Sequence, residues 1–344
     1  MSPLEIICIV MAVTLILGMP IFMCLGIAAA VALLVADVPL NMIPQVLFRG
    51  VDQFPLLAIP CFILAGSLME YGGVTKQIVD VVLKPAARIH GGLGVATILA
   101  CMFFSAISGS GPGTTAAVGA LMIPTMIRNS YSREYAGAVA SSGGTLGILI
   151  PPSNPMIIYG VIANVSITGM FTAGFIPGLM IGSAHCFVAW YVGKRLGYRG
   201  SGEKFLWGDF FQTCWRSKFS LAAPFVILGS IYGGVCTPVE ASVVAVVYGF
   251  LVGAVINRQL NFKKILQSLI DAGMVGGTVI IIVGTSMLFA QLIAMEYGPQ
   301  KLANLVLFIV GMQFTQLSTI CCVWPPIIIL RGTGRQSMAC SIIR

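Results

Sequence analysis

Long apolar stretches separated by short polar gaps run along most of the chain. These stretches cover residues 6–36, 53–72, 94–127, 134–163, 168–193, 217–234, 238–256 and 265–295. A helix needs about 20 apolar residues to cross a hydrocarbon core of about 30 Å, and most of these stretches approach or exceed that length. Inside lipid only helices and closed barrels satisfy their backbone groups. The pattern therefore predicts an all-α, polytopic membrane helical bundle.

The composition supports this prediction. The chain is 58% hydrophobic and only 9% charged, and its mean hydropathy is +0.98. Such a chain has too little polar surface to cover a water-soluble protein of 344 residues. The formal charge of +8 comes from residues in the short gaps rather than on one polar face, so we expect no nucleic-acid partner.

The basic gaps predict which loops face the cytoplasm. Lysine and arginine gather in four gaps, which contain Lys76, Lys84 and Arg88; Arg128 and Arg133; Lys194 through Lys218; and Arg258, Lys263 and Lys264. Gaps of this kind remain in the cytoplasm. With 6–36 as a single span, counting the crossings predicts a cytoplasmic N-terminus. Asp37–Asp52 and the turns NVSITG (164–169) and GGVCTP (233–238) then lie outside.

The same count requires 94–127 to begin and end inside. This segment is therefore either two unusually short spans or a re-entrant hairpin with its turn at SGSGPG. The segment 134–163 then crosses outward.

Two segments of the chain have similar sequences. SLMEYGGVTKQIVDVV (67–82) is echoed by LIAMEYGPQKLANLVL (292–307), and the count places the first inside and the second outside. Related halves of opposite orientation indicate an inverted repeat, an arrangement that secondary transporters use. The alternative is that MEYG recurs by chance in an apolar chain.

Two clusters of glycine, proline and hydroxyl residues interrupt the apolar stretches. The first is Ser108–Gly113, and the second runs from Ser141 through Gly147 to Pro155. Non-helical backbone inside lipid is costly unless protein, water or an ion satisfies it. Carbonyl and hydroxyl oxygens suit a cation, and the N-terminal ends of half-helices suit an anion. We therefore predict ion-coupled anion uptake; the alternative is that the small residues only allow close helix packing.

The sequence shows no signature of a catalytic, metal-binding or nucleotide-binding site. The spans contain no P-loop, metal cluster or nucleophile with its base, so an enzyme and an ATP-driven pump are both disfavoured. Glu240 follows a turn in TPVEASVVAVV, and we expect it to satisfy the start of a helix rather than to relay protons.

Four stretches resemble a known family. FPLLAIPCFILAGSLMEYGGV (54–74), SAISGSGPGTTAAVGALMIP (105–124), ASSGGTLGILIPPSNPMIIYG (140–160) and GGVCTPVEASVVAVVYG (233–249) are similar to the large membrane subunit of the TRAP (tripartite ATP-independent periplasmic) transporters of bacteria. The resemblance implies an elevator-type, sodium-driven importer of an organic acid, of the C4-dicarboxylate or sugar-acid type, in the inner membrane. It implies a periplasmic binding protein and a small four-helix membrane subunit as partners, and Na⁺ as coupling ion with no other cofactor.

The resemblance also implies site residues. The hairpin tip and the unwound helix opposite it would form a sodium site from Ser108, Gly109, Ser110, Gly111, Gly143, Gly144 and Thr145. Substrate would contact Thr114, Pro151, Pro152, Ser153 and Asn154.

Four regions follow from this resemblance. Residues 1–90 would be scaffold-type helices of the first repeat, 91–200 a transport-type region with a hairpin (94–127) and a broken helix (134–163), and 201–310 the start of the second repeat. The resemblance fades near Gly311, and the tail 311–344 contains an apolar run, Ile320–Leu330, that is too short to span. We therefore expect an out-of-frame or divergent end and an incomplete second repeat. The alternative function is a truncated, non-transporting remnant or assembly partner of such a system.

Overall fold

The structure is a computed structural model that describes residues 3–36, 38–86, 89–198, 206–301, 303, 304 and 307. Throughout this part of the chain the regular elements are helices, which confirms the all-α prediction. The α-helices are α1 (Pro3–Ile16), α2 (Ile21–Val35), α3 (Met42–Val51), α4 (Ala58–Tyr71), α5 (Val74–Ala86), α6 (Gly92–Ser108), α7 (Gly111–Arg128), α8 (Arg133–Gly144), α9 (Asn154–Ile162), α10 (Ile167–Arg195), α11 (Trp207–Arg216), α12 (Lys218–Tyr232), α13 (Pro238–Leu251) and α14 (Phe262–Met295). Short 3₁₀ turns cover Phe54–Leu57 and Thr145–Ile148, and a π-helical turn covers Val252–Ile256.

Several helices are suited to crossing a membrane. Within the described residues, four helical stretches are long and apolar enough to span: Phe54–Tyr71, Ile167–Arg195, Pro238–Ile256 and Phe262–Met295. Shorter apolar helices accompany them, α1, α2, α6 and α12 among them. The chain is therefore a multi-pass membrane protein, as the apolar stretches predicted.

The described part of the chain forms two compact units: one combines its residues up to 43 with those from 286 onward, and the other consists of its residues between 44 and 285. The predicted division at residues 90, 200 and 310 concerns repeats and moving parts rather than compactness, and it stays a prediction. The tail 311–344, with its apolar run, lies outside the described residues.

In the first unit the apolar stretch 6–36 is a helical hairpin, and the single span predicted there is wrong. Helix α1 ends at Ile16, helix α2 begins at Ile21, and the two helices pack against one another. Gly18 adopts a φ of 75°, a conformation that residues with a side chain rarely take, and Pro20 directly precedes α2. A hairpin returns the chain to the side from which it started, so the argument for a cytoplasmic N-terminus no longer holds.

We expect instead that the N-terminus lies on the same side of the membrane as residue 36, outside the cytoplasm. An epitope tag with a protease site, fused before Met1, should be cleaved when protease is added to intact spheroplasts. The same tag inserted after Gly197, in a basic gap, should be protected until the cells are lysed. Protection of the N-terminal tag in spheroplasts would restore the single-span topology.

The second unit is built around α6, which packs against α5, α7, α8 and α10. Helices α4 and α13 form a close pair beside it. Gly249 of α13 has no side chain and leaves room for Met69 of α4, because a Cβ added to Gly249 would lie only 3.0 Å from the Met69 Cγ. Large side chains such as Phe62, Phe104 and Phe171 fill the centre.

One end of the second unit collects residues of the basic gaps. Gly73, Asn129, Ser217 and Gln259 all line one cavity at this end. In addition, the backbone N–H of Ser132 donates to the hydroxyl of Tyr198, 3.1 Å away. Residues of all four gaps therefore lie at one end of this unit, as expected of loops that share one side; that this side is cytoplasmic stays a prediction, and Arg88 lies outside the described residues.

The opposite end of the second unit contains the turns that counting the membrane crossings placed outside. Gln53, Asn164 and Thr237 line a second cavity, and helices α4 and α13 run from this end toward the basic end. At this end Thr237 and Glu240 form a capping box: the Glu240 carboxylate accepts from the Thr237 backbone N–H (2.7 Å), and the Thr237 hydroxyl accepts from the Glu240 N–H (3.3 Å). This confirms the helix-capping role expected of Glu240.

The segment 94–127 is a re-entrant hairpin rather than two spans. Leu93 before it and Asn129 after it line the same cavity, so α6 and α7 begin and end at the basic end. The tip at Gly109 meets Asn154, the first residue of α9. Helix α9 has nine residues, or about 14 Å of helix, and lies between this contact and the turn at Asn164. The hairpin therefore stops partway through the unit.

The two MEYG copies end their helices in a similar way. Helix α4 closes at Tyr71, Gly73 takes a φ of 79°, and α5 begins at Val74. Helix α14 closes at Met295, Tyr297 takes a φ of 55°, and helical structure resumes at Gly298. This similarity agrees with an internal repeat, and its inversion stays a prediction.

Candidate functional site

The hairpin tip is a sharp turn that its sequence is suited to form. Helix α6 ends at Ser108, and Gly109 follows with a left-handed φ of 61°. Ser110 is extended and caps α7, because its hydroxyl accepts from the N–H of Gly113 at 3.3 Å. Pro112 falls in the first turn of α7, where its missing N–H removes no helical hydrogen bond.

The facing segment is a helix broken in the middle. Helix α8 ends at Gly144, a 3₁₀ turn covers Thr145–Ile148, and α9 begins at Asn154. The intervening residues include a cis peptide bond between Pro151 and Pro152. The break predicted within 134–163 is therefore confirmed.

The tip and the break are in direct contact. The N–H of Asn154 donates to the carbonyl of Gly109 at 3.0 Å. Glycine is required on both sides of the contact: a Cβ on Gly109 would lie 2.7 Å from the Pro152 carbonyl oxygen, and one on Gly147 would lie 2.5 Å from that of Ser110. Backbone therefore packs on backbone at this point, which we call the junction.

Buried polar side chains surround the junction. Ser108, Thr114 and Ser153 are almost fully buried. The hydroxyls of Ser108 and Thr114 lie 3.1 Å apart, and the Ser153 hydroxyl donates to the carbonyl of Ile148 at 2.7 Å. These three hydroxyls therefore have partners within the protein.

Two further polar groups, Asn154 at the junction and Ser105 one turn before Ser108 in α6, have no such partner in the described part of the chain. The Asn154 Oδ1 and the Ser105 Oγ are buried without a hydrogen-bond partner, and the two residues are 7% and 0% exposed. A buried polar group left unsatisfied costs about 1–3 kcal/mol. An amide carbonyl and a hydroxyl are hard oxygen ligands, so each of these two oxygens is of the kind that a small cation such as sodium prefers.

The electrostatic environment also suits an anion. Helices α7 and α9 both begin at the junction, and a helix N-terminus has a partial positive charge of roughly half an elementary charge. An anion beside these ends and a cation on the nearby oxygens would neutralise one another. The junction can therefore hold a pair of opposite charges without a charged side chain.

The structure brings together most of the residues that the resemblance indicated. Ser108, Gly109, Ser110 and Gly111 form the tip, and Gly144 packs on Gly111 across the junction. Pro152, Ser153 and Asn154 lie beside the tip, while Thr114 is next to Ser108. Their roles in binding stay predictions.

The remaining predicted residues sit differently. A Cβ on Gly143 would meet the Cys101 sulfur at 2.7 Å, so Gly143 faces the middle of α6 rather than the tip. Thr145 is exposed, and its hydroxyl donates to the carbonyl of Ser142 at 2.7 Å. Pro151 precedes the cis bond to Pro152.

Sequence reasoning missed two residues of the site. Ser105 lies one turn before Ser108 on the same face of α6, a spacing that could have identified it. Gly66 of α4 touches the tip from the other side, because a Cβ there would lie 3.0 Å from the Cβ of Ser108. Nothing in the sequence around a single glycine in an apolar helix indicates such a contact.

Comparison with known proteins identifies the family. The sequence matches the family described as "Tripartite ATP-independent periplasmic transporter, DctM component" over residues 8–343. This match includes the tail, so the expectation that the resemblance fades near Gly311 is wrong.

Three relatives illustrate the range of the family. The chain is 33% identical to the isethionate TRAP transporter permease protein DctMQ of Oleidesulfovibrio alaskensis, over 99% of this chain and 53% of that protein. It is 35% identical to the C4-dicarboxylate TRAP transporter large permease protein DctM of Vibrio cholerae, over 85% of this chain and 69% of that protein. It is also 35% identical to the 2,3-diketo-L-gulonate TRAP transporter large permease protein YiaN of Escherichia coli, over 84% of this chain and 68% of that protein.

The chain thus spans between about half and two thirds of the length of these relatives. The family match nevertheless covers nearly the whole chain, and the re-entrant hairpin and broken helix lie within it. The chain therefore belongs to the DctM-component family of the tripartite ATP-independent periplasmic transporters, a family of transporter permeases rather than enzymes.

Proposed function

We propose that this protein acts as the large permease component of an inner-membrane carrier that imports a small organic acid together with sodium. The observation that supports this most is the junction, where Asn154 Oδ1 is buried without a partner in the described residues. Ser105 Oγ, one turn before Ser108 in α6, is buried without such a partner as well. A bound Na⁺ would supply the missing interaction of the Asn154 oxygen. It would also offset the charge of a carboxylate or sulfonate held at the N-termini of α7 and α9.

The substrate class follows from two considerations. The named relatives carry isethionate, C4-dicarboxylates and 2,3-diketo-L-gulonate, all of which are organic anions. The helix N-termini at the junction favour an anion of this kind, and Thr114, Ser153 and Asn154 offer hydrogen-bonding groups beside them. We therefore propose a small organic acid of the C4-dicarboxylate or sugar-acid type.

The proposed sodium ligands come from both sides of the junction. From the predicted set, Ser108 to Gly111 and Gly144 contribute backbone and hydroxyl oxygens, and Ser105 and Asn154 contribute the unpartnered side-chain oxygens. Thr145 would contribute only through a rearrangement of its present hydrogen bond.

The proposed partners are a small four-helix membrane subunit and a periplasmic binding protein that delivers the substrate. The name DctMQ of the isethionate relative, a longer permease protein, agrees with a large component working together with a second membrane component. Much of the substrate selection would then lie in the binding protein.

Reconstituted transport tests the proposal. Proteoliposomes containing this chain, the small subunit and the binding protein should accumulate a radiolabelled C4-dicarboxylate when sodium is higher outside. Collapsing the sodium gradient with an ionophore should abolish accumulation, because the cation provides the driving force. Uptake that persists without the gradient would contradict sodium coupling, and uptake that requires ATP would contradict the secondary-carrier mechanism.

A further inference from the structure

A second polar cavity lies at the basic end of the 44–285 unit, away from the junction. Its volume is about 810 Å³. It is lined by α5, by the C-terminal end of α7 and by the connection between α11 and α12. Its cationic side chains among the described residues are Lys76, Lys84 and Arg216, and Asp80 is the one acid in this described lining.

The charges of this cavity are positioned by helix geometry. Lys76, Asp80 and Lys84 are spaced four residues apart on α5 and therefore share one face. Arg216, in the last turn of α11, adds a third positive charge from another helix. Among the described lining residues three positive charges face the one negative charge of Asp80, so the cavity is positively charged on balance.

Hydrogen bonds hold the wall of this cavity in place. The Gln77 amide donates to Asn257 Oδ1 at 2.8 Å and accepts from the Ser220 hydroxyl at 2.6 Å. Asn257 in turn donates to the carbonyl of Gly72 at 2.8 Å. These bonds connect α5 to α12 and to the residue that follows the π-helical turn after α13, so α5 is held in place without any ligand.

Helix α11 indicates the depth of the cavity in the membrane. Trp207, Phe211 and Trp215 lie four residues apart on one face of this helix, and all three are exposed. Thr213 and Arg216 on another part of the helix line the cavity. A short amphipathic helix with aromatic residues on one face and a basic residue on the other is typical of a helix lying in the membrane interface. The cavity therefore opens at the level of lipid headgroups.

We propose that this cavity binds the phosphate headgroup of an anionic phospholipid, with Lys76, Lys84 and Arg216 pairing with the negative charge. Arginine and lysine form strong charge-assisted hydrogen bonds with phosphate, and basic pockets between membrane helices at the cytoplasmic side suit anionic lipids. The acyl chains would lie beside the aromatic face of α11. The proposal does not depend on the transport mechanism.

Lipid binding by the purified full-length protein tests this inference. A fluorescent phosphatidylglycerol is titrated into delipidated protein in a zwitterionic detergent, and unlabelled lipids are used as competitors. The wild type should prefer phosphatidylglycerol to phosphatidylcholine. The variant K76Q/K84Q/R216Q should bind phosphatidylglycerol roughly a hundredfold more weakly, since each basic residue near the surface contributes about fivefold.

A matched variant separates the site from net charge. R128Q/R133Q/R258Q removes the same number of positive charges from the basic gaps, and none of these residues lines the cavity. We expect its affinity for phosphatidylglycerol to stay within about twofold of wild type, because exposed charges outside the site are largely screened. An equal loss in both variants, or equal wild-type affinity for the two lipids, would overturn the proposal.

Free anions provide the remaining comparison. Inorganic phosphate or succinate at millimolar concentration should fail to displace the fluorescent lipid, because neither has acyl chains to place beside α11. Displacement by these anions as effective as that by phosphatidylglycerol would reject the lipid and indicate a site for a soluble anion. If the triple variant does not fold, K76Q alone, on the exposed part of α5, should still weaken binding about fivefold. Unchanged binding in K76Q would then count against the site.

Discussion

Replacing Gly147 by alanine is expected to separate the hairpin tip from the broken helix. The added Cβ would lie 2.5 Å from the Ser110 carbonyl oxygen and 2.9 Å from the Gly111 Cα, and both are backbone atoms that cannot move aside like a side chain. Overpacking of this kind costs about 3 kcal/mol. We expect a lower thermal unfolding temperature for the purified protein in detergent and the loss of any stabilisation by sodium.

Gly137→Ala provides the matched control for Gly147→Ala. Gly137 lies in α8, before the same broken segment, and a Cβ there would meet no atom within 4 Å. Alanine in a helix interior is favoured over glycine by about 1 kcal/mol, so this variant should be as stable as the wild type or more stable. Equal unfolding temperatures for the two variants would show that the tip and the break do not pack as described.

Replacing Asn154 by alanine is expected to remove the response to sodium without lowering the basal stability. In choline chloride the variant should unfold at about the wild-type temperature, because the lost Oδ1 has no hydrogen-bond partner among the described residues. In sodium chloride the wild type should gain about 2.7 kcal/mol when sodium is a hundredfold above its dissociation constant, and the variant should gain little. Differential scanning fluorimetry in the two salts measures both values.

Asn129→Ala is the corresponding control for Asn154→Ala. The Asn129 amide donates to the carbonyl of Thr125 at 2.8 Å, at the far end of the hairpin. Its loss should lower the unfolding temperature by the same amount in both salts. If Asn154→Ala behaves in the same way as Asn129→Ala, Asn154 is a structural residue and not a sodium ligand.

The re-entrant hairpin could be predicted from the sequence because its signals are local. Gly109, Ser110 and Pro112 cannot continue a helix, and basic residues on both sides place the two ends together. The first hairpin was missed for the opposite reason. The stretch 6–36 is apolar throughout, and its length suits one long span as well as two short helices. The signal that distinguishes them, Gly18 followed by Pro20, is a weak one in a membrane helix because such residues are tolerated there.

The residues of the candidate site also divide into those that the sequence identified and those that it did not. Clusters of small and polar residues interrupt the apolar stretches, and the composition of these clusters alone identified the site residues in them, namely Ser108, Gly111, Gly144 and Asn154. Ser105 was missed because a single serine in a membrane helix usually bonds to its own backbone. Its lack of a partner among the described residues is a property of the folded protein and not of the sequence.

By itself, the sequence determined that this protein crosses a membrane many times as helices, where it is broken, and which gaps share a side. These properties depend on local chemistry: transfer of apolar residues into lipid, the backbone limits of glycine and proline, and the position of basic residues. Only the tertiary structure decided that Gly109 meets Asn154 and that Lys76, Lys84 and Arg216 share a cavity. It also decided that Ser105 and Asn154 each have a side-chain oxygen without a partner among the described residues. Such contacts join residues distant in the chain, and their distances and burial depend on how the helices pack.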